Sequence, residues 1–223
     1  MTIQIAKMLP YVAERPSTSL CTTMSNLLVL GNDKIAGLAY KKISDLDGFD
    51  VLIDKSTNVK RIIKLLRKKR IQIGLVLKMF WAELSRNGSK PPSHLSSIYS
   101  NKDLCQKLHK ASYNKVYLFR AGLVINDSVL KLGFLMLNIH AARIPEYGGI
   151  GSINRALKDK VYEQCASLHV ITKEIDQGEV LDQEPYILNQ SQSYMKNEEI
   201  AYNAAISLLV RSLYTERIDS ESF

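Results

Sequence analysis

Hydrophobic residues along the chain form short uninterrupted runs, separated by segments in which apolar positions recur every three or four residues. The uninterrupted runs are typical of strands that are buried on both faces of a sheet. They lie at 26–32, 49–54, 115–122 and 133–140. A further segment, 165–188, has the pattern of two strands joined by a turn.

The segments with helical spacing lie between and after these runs, at 34–43, 57–70, 101–111, 152–160 and 197–217. Asp33 stands just before the first helix, where its carboxylate can cap free backbone N–H groups. Residues 71–84 fit either a strand or a helix. Residues 87–100 are rich in Ser, Pro and Gly, which is typical of a loop.

This alternation predicts an α/β fold, a Rossmann-like, mostly parallel twisted sheet with helices on both faces. We expect residues 24–223 to form one domain and residues 1–23 to be a loosely ordered N-terminal extension. Ligands of such sheets bind beyond the carboxyl ends of the strands. The segments that follow the predicted strands at that edge are therefore the first candidates for chemistry.

The chain carries a formal net charge of +8, which indicates an anionic partner such as nucleic acid, a membrane surface, a nucleotide or a polyanionic cofactor. The segment 60–70 is the best support for a non-catalytic module that binds nucleic acid or a membrane. Its apolar residues at helical spacing favour packing on the sheet with the charges in solvent. Because aromatic interleaving and RNA-binding motifs are missing, we expect neither a nucleic acid nor a membrane as a partner.

The three cysteines, Cys21, Cys105 and Cys165, are far apart and do not have metal-ligand spacing. We therefore expect no metal site, and the sparse cysteines fit a reducing compartment. No run of about 18 apolar residues predicts a transmembrane helix. Residues 1–23 also lack the apolar region of a signal peptide, so we expect a cytoplasmic protein.

Asn138 and His140 are two residues apart at the carboxyl end of a predicted strand, so their side chains lie on the same side. An Asn amide can donate to a carbonyl oxygen that gains negative charge, and a His can move a proton near neutral pH. Asp176, on a later turn with a Gly, offers a carboxylate to orient the His. Each residue alone also fits a structural role, and spacing does not show that the three meet.

Three stretches resemble the folate-dependent formyltransferases. The sequence NIHAARIPEYGG, residues 138–149, is similar to the family motif N-x-H…P-x-Y-x-G. The sequence SLHVITKEIDQGEVLDQEP, residues 167–185, is similar to a later family stretch with a strand His and an Asp-x-Gly turn. The sequence FRAGLVINDSVL, residues 119–130, resembles the segment whose backbone receives the pterin ring. The resemblance covers roughly residues 115–190.

The resemblance implies a role for each matching residue in formyl transfer from 10-formyltetrahydrofolate. Asn138 would polarise the formyl carbonyl, and His140 would stabilise the tetrahedral intermediate and help to move protons. Asp176 would orient His140 or an ordered water and take part in proton transfer from the amine. His169 matches a family position near the site. The folate pocket would include Leu123, Val124, Ile125, Asn126, Thr172, Glu174 and Ile175, and the acceptor site would include Arg143, Tyr147 and Gly149.

Members of this family formylate glycinamide ribonucleotide, the Met of initiator tRNA, or amino sugars linked to nucleotides. This chain departs from the family pattern at 141–144 and at Gly148, both on the expected acceptor side. The purine enzyme has a phosphate-binding Gly-Ser-Asn loop after its first strand, whereas here Asp33 follows Gly31 and Asn32 and would repel a phosphate.

We therefore expect a nucleotide-linked amino deoxysugar as the acceptor, for surface polysaccharide or glycan assembly. The alternative is phosphoribosylglycinamide formyltransferase of purine synthesis. Arg120 and Arg143 lie near the expected rim and are candidates for contact with an anionic substrate. The helix at 197–217 has two interpretations, a cover for the domain's own sheet or the interface of a homodimer.

Overall fold

The computed structural model describes residues 25–56, 63, 66–68, 71–111 and 113–221. The expectations for residues 1–23 and for most of the helix at 57–70 fall outside this part of the chain. The described strands are β1 (Ser25–Gly31), β2 (Phe49–Asp54), β3 (Ser97–Ile98), β4 (Tyr113–Phe119), β5 (Leu135–His140), β6 (Glu163–Val170) and β7 (Val180–Ile187).

The described strands form one seven-stranded sheet in the order β3-β2-β1-β4-β5-β6-β7. Strands β1 to β5 pair in parallel, whereas β6 pairs antiparallel with both β5 and β7. The mostly parallel α/β fold predicted from the sequence is thus confirmed. Its antiparallel part is the strand–turn–strand unit expected at 165–188.

Helices cover both faces of the sheet. They are α1 (Lys34–Ile43), α2 (Ile73–Ser85), α3 (Asn101–Lys110), α4 (Asp127–Leu130), α5 (Ser152–Lys158) and α6 (Tyr194–Glu221). Alternate residues of β1 enter two separate apolar clusters, because successive side chains of a strand point to opposite faces. Leu28 and Leu30 pack in the cluster that includes residues of α1, α5 and α6, and Leu27 and Val29 pack in the cluster with residues of α3 and α4.

Helix α6 covers the domain's own sheet, as one of its two interpretations expected. Ala201, Ala205 and Leu209 are fully buried in the cluster that it shares with β1. Asp33 caps α1 as expected, since the backbone N–H of Ala36 donates to its Oδ1 at 2.8 Å. The N-terminal end of α1 therefore carries its own carboxylate.

The segment 71–84, which fitted a strand or a helix from its sequence, is the helix α2. Its sequence was ambiguous because both sides of the helix are apolar. Leu75 and Ala82 are buried on one side, while Leu77 and Trp81 are exposed on the other. In the part of the chain that the structure describes, no helix has the length and apolar character needed to cross a bilayer.

Candidate active site

The three predicted catalytic side chains lie together at the carboxyl end of β5. Asn138 and His140 belong to β5 itself, and Asp176 comes from the loop between β6 and β7. The antiparallel pairing of β5 with β6 places His169 opposite Asn138. Asp176 has φ +54°, a left-handed conformation that turns the chain back toward the sheet. The structure thus joins residues that are 38 positions apart in the chain.

The carboxylate of Asp176 is the centre of this cluster. Its Oδ2 accepts a hydrogen bond of 2.6 Å from the backbone N–H of Gly149 and lies 3.5 Å from Nδ1 of His140. Its Oδ1 lies 3.4 Å from both Nδ2 of Asn138 and Nε2 of His169. One half-buried carboxylate therefore contacts the loop and both strands that build the site.

His169 holds the amide of Asn138 in a fixed orientation. A carbonyl oxygen can only accept, so Nδ1 of His169 donates to the carbonyl of Val170 at 3.0 Å. Nε2 is then the acceptor for Nδ2 of Asn138, also at 3.0 Å. The second N–H of the Asn138 amide has only the long contact with Asp176 and is the one available to a ligand.

His140 is surrounded by two acceptors. Its Nε2 donates to the backbone carbonyl of Tyr147 at 3.0 Å, so the neutral ring has its free nitrogen, Nδ1, on the side of Asp176. Burial lowers the pKa of His140 below its ordinary value of 6.5, although the Asp176 carboxylate and the Tyr147 carbonyl both raise it. The ring is therefore neutral at neutral pH. If Nδ1 takes a proton, the carboxylate stabilises the charge.

Asp176 stays ionised over the whole physiological range. Burial raises its pKa, but the contacts with His169 and His140 and the hydrogen bond from Gly149 outweigh burial and lower the pKa to about 2. Gly148 packs directly against this side chain, because a Cβ at position 148 would lie 3.0 Å from the Cβ of Asp176. The described residues contain no group of three or more metal-binding side chains suited to holding an ion.

These side chains face a cavity of about 330 Å³. One part of its wall is formed by two loops, 121–125 and 171–175. The first loop is held by the buried carboxylate of Asp54, at the end of β2, which accepts from the backbone N–H of Leu123 at 2.7 Å. The cavity is therefore bounded by a loop that Asp54 holds in place and that contributes apolar side chains to the wall.

Most of the residues expected to bind folate line this cavity, namely Leu123, Val124, Ile125, Thr172, Glu174 and Ile175. Asn126 is not among the lining residues, because its side chain caps α4 by accepting from Val129. Gly149 lines the cavity, whereas Arg143 and Tyr147 do not. The Arg143 guanidinium donates to the carbonyl of Glu163, and the Tyr147 hydroxyl donates to Asp159.

Another part of the wall carries charged and phenolic groups: Arg120, Tyr194, Glu198 and Tyr202. Arg120 follows β4 with φ +58°, which ends the strand at Phe119 rather than at residue 122 as expected. Its Nε donates to Asp33 at 2.7 Å, and Nη1 donates to the hydroxyl of Tyr202 at 2.5 Å. The positive charge is thus paired with the carboxylate that caps α1.

Sequence reasoning placed Arg120 at the rim but missed the three residues from α6. Glu198 and Tyr202 are four positions apart, which puts both on one face of a helix, and this spacing was the available signal. Glu198 is held by Arg86, which donates from Nη2 to Oε2 at 2.7 Å in a contact that is almost fully buried. Its carboxylate is therefore fixed at the cavity wall.

A family model described as formyl transferase matches residues 51–210 of the chain. No curated protein sequence matches the chain significantly. Among solved structures, the chain resembles a 4-N formyltransferase from Francisella tularensis at 15% identity with a TM-score of 0.61, over 89% of this chain and 71% of that one. A glycinamide ribonucleotide transformylase 1 from Symbiobacterium toebii is 12% identical with a TM-score of 0.61, over 94% of each chain.

A formyltetrahydrofolate deformylase from Pseudomonas syringae is 16% identical with a TM-score of 0.57, over 86% of this chain and 61% of that one. The chain spans about two thirds of the length of the sugar N-formyltransferases that it resembles, 66% and 67% in two cases. At these identities the likeness to solved structures establishes the fold alone. The family model, by contrast, covers more than half of the sequence. The chain therefore belongs to the formyl transferase family and is an enzyme of that family.

Proposed function

We propose that this enzyme transfers a formyl group from 10-formyltetrahydrofolate to the primary amine of a nucleotide-linked amino deoxysugar. The observation that carries the proposal is the meeting of Asn138, His140 and Asp176 within hydrogen-bonding or ion-pairing distance at one cavity of a family member. Such acceptors serve the assembly of surface polysaccharides, including O-antigen, and of glycans. The sparse cysteines support a cytoplasmic location, since Cys105 and Cys165 are both free.

The loops 121–125 and 171–175 suit the formyl donor. A pterin ring is flat and has polar edges, so it needs apolar side chains against its faces and backbone groups at its edge. The side chains of Leu123, Ile125 and Ile171 would contact the faces of the ring, and the irregular backbone of both loops would contact its edge. The donor, when bound, supplies the formyl group, and these loops would hold its ring.

In this proposal each side chain of the cluster has a different role in the reaction. The free N–H of Asn138 can donate to an oxygen that gains negative charge, and His169 keeps it aimed. His140 is neutral and has Nδ1 free, so it can take a proton from an attacking amine, directly or through a water. Asp176 stays charged and stabilises the protonated ring.

The acceptor assignment is supported by the pairing of Asp33 with Arg120. A helix N-terminus and a nearby guanidinium are together a suitable site for a phosphate. Here the Asp33 carboxylate already occupies both groups, because it accepts from the backbone N–H of Ala36 at the start of α1 and from the guanidinium of Arg120. A phosphoribosyl acceptor has no free anion site at this position, which favours a neutral sugar ring there.

Glycinamide ribonucleotide is the second candidate acceptor, because the transformylase structure matches over nearly the whole of both chains. The test is a transfer assay with 10-formyltetrahydrofolate and a panel of nucleotide-linked 3-amino and 4-amino deoxysugars, with glycinamide ribonucleotide and a no-acceptor control. We expect turnover with an amino sugar that exceeds turnover with glycinamide ribonucleotide. Faster turnover with glycinamide ribonucleotide would contradict the sugar assignment, and formate release without acceptor would indicate a hydrolase.

A further inference from the structure

Arg155, in α5, binds the loop that joins β5 to this helix. Its Nη1 donates to the backbone carbonyl of Ile150 at 2.8 Å, and its Nη2 donates to the backbone carbonyl of Gly148. One planar guanidinium therefore holds two carbonyl oxygens of the same loop. The side chain is half-buried, and Arg155 is not among the residues that line the cavity. A ligand in the cavity would therefore contact the loop and not the guanidinium.

The same loop binds two side chains of the catalytic cluster. The carbonyl of Tyr147 accepts from Nε2 of His140 at 3.0 Å. The backbone N–H of Gly149 donates to Oδ2 of Asp176 at 2.6 Å. Four consecutive loop residues therefore alternate in their contacts. The first and third bind the catalytic side chains, and the second and fourth bind Arg155.

One peptide unit connects Arg155 directly with Asp176. The carbonyl of Gly148 and the N–H of Gly149 belong to the same planar unit, so fixing one end of it fixes the other. Arg155 binds the oxygen end, and Asp176 binds the N–H end. A cation at the oxygen also polarises the unit and makes its N–H a stronger donor to the carboxylate.

The composition of the loop explains why it depends on such contacts. Three of the four residues from 148 to 151 are glycine, the residue with the greatest backbone freedom. Gly149 and Gly151 have φ of +79° and +78°, in the left-handed region that other residues rarely adopt. Gly151 is also the cap residue of α5 and provides no side-chain hydrogen bond there. The loop therefore needs Arg155 to hold one conformation.

The positive charge of Arg155 also favours the neutral form of His140. Burial is the main cause that lowers the pKa of His140, and the charges of His169 and Arg155 lower it further. The Asp176 carboxylate and the Tyr147 carbonyl act in the opposite direction. Neutral imidazole is the form that can accept a proton from an amine, so the charge of Arg155 acts in the direction that the reaction requires.

We propose that Arg155 is a positioning residue of the active site. Through the loop 147–150 it keeps His140 in the tautomer with the proton on Nε2, and it keeps Asp176 beside the free Nδ1. Arg155 acts through the loop and does not contact the reacting atoms. The inference rests on the roles proposed above for His140 and Asp176, and it does not depend on the identity of the acceptor.

The first test is steady-state kinetics of Arg155→Ala and Arg155→Lys with the acceptor that the panel identifies. Arg155→Ala should lower kcat by about 100-fold with KM for donor and acceptor nearly unchanged, because a displaced catalytic group loses rate and not ground-state binding. Arg155→Lys keeps the charge but not the planar fork, so its kcat should fall less. Millimolar guanidinium chloride should restore part of kcat in Arg155→Ala, whereas equal sodium chloride should not.

The matched control is Arg211→Ala. Arg211 also donates to a backbone carbonyl, that of Gln183 at 3.1 Å, but this contact lies on β7 and outside the cavity wall. Its kcat should equal that of the parent protein, with and without guanidinium. Equal losses of kcat in Arg211→Ala and Arg155→Ala would overturn the proposal.

The second test is nitrogen NMR of the imidazole rings, which needs no substrate. The chain has four His residues, and the signals of His140 are those that disappear in His140→Gln. The parent protein should show His140 with its proton on Nε2. Arg155→Ala should show a mixture of the two tautomers, and Arg211→Ala should match the parent. If Arg155→Ala does not fold, Arg155→Lys takes its place and should show a smaller change in the same direction.

The two tests separate this inference from the proposed function. Parental kcat in Arg155→Ala, a loss that guanidinium does not rescue, or an unchanged tautomer of His140 would overturn the positioning role. Parental kcat in His140→Ala would instead contradict the proposed function. The NMR measurement decides the positioning role even where the panel yields no turnover.

Discussion

Arg86 and Glu198 form an ion pair that is almost fully buried, with side chains exposed by only 3% and 4%. The pair joins the end of α2 to α6 and fixes a carboxylate at the wall of the cavity. We predict that Arg86→Met lowers the free energy of unfolding by about 3 to 5 kcal/mol, because it leaves a buried charge without compensation. The Tyr194 hydroxyl, at 3.4 Å, is a weak replacement.

The assay is urea unfolding of the parent and the variant, followed by far-UV circular dichroism. A chain of this size has a urea dependence near the upper end of 1 to 3 kcal/mol per molar, so the midpoint should fall by roughly 1 to 2 M. Glu198→Gln should lower the free energy of unfolding less than Arg86→Met does, because Arg86 keeps a second carboxylate, that of Glu83, at 3.4 Å.

The control is Arg211→Met. Arg211 also pairs with carboxylates, with Asp182 at 3.0 Å, but both side chains are more than 40% exposed. That substitution should lower the free energy of unfolding by at most about 1 kcal/mol. The double variant Arg86→Met/Glu198→Leu should recover most of the loss, because it removes both buried charges. Equal losses at Arg86 and Arg211, or a double variant that loses the sum of the single effects, would refute the reasoning.

Three other predictions follow from the site. His169→Phe should lower kcat about 100-fold with little change in KM, measured by steady-state kinetics, because Asn138 loses the acceptor that aims its amide. The pKa of Asp176 is lowered to about 2, so its ionised form stabilises the fold above about pH 4, and that contribution is lost as the pH falls toward 2. Asp176→Asn should therefore flatten the decrease in unfolding free energy over that range in urea titrations. Asp33→Ser keeps a capping oxygen but leaves Arg120 unpaired, so calorimetry should show tighter binding of inorganic phosphate, and unchanged binding would contradict an anion site already occupied by Asp33.

The layered α/β fold could be predicted because strands buried on both faces leave an unmistakable pattern. The residues from Leu27 to Leu30 pack alternately in the two apolar clusters, so they form one uninterrupted apolar run in the sequence. Helix α2 could not be assigned in the same way. Its residues are apolar on the side that packs against the protein and also on the exposed side. Hydrophobic periodicity therefore could not show whether the segment is a helix or a strand, or which of its residues are exposed.

The chain positions of Asn138 and His140 could be predicted from their strand spacing, but their partners could not. His169 reaches Asn138 only because β5 and β6 pair antiparallel in one particular register. The contact of Asp176 with three other side chains depends on its left-handed backbone conformation, which spacing does not reveal. The ion pair between Asp33 and Arg120 joins residues 87 positions apart, and the sequence supplied only the two separate charges.

The central claim is that His140 and Asp176 act as one catalytic unit in formyl transfer. The most direct test is to measure kcat for His140→Ala, Asp176→Ala and the double variant with the acceptor that the panel identifies. Groups that act together give strongly non-additive losses, so we predict that the double variant is no slower than the slower single variant. Losses that multiply in the double variant, or single variants with parental kcat, would contradict the account.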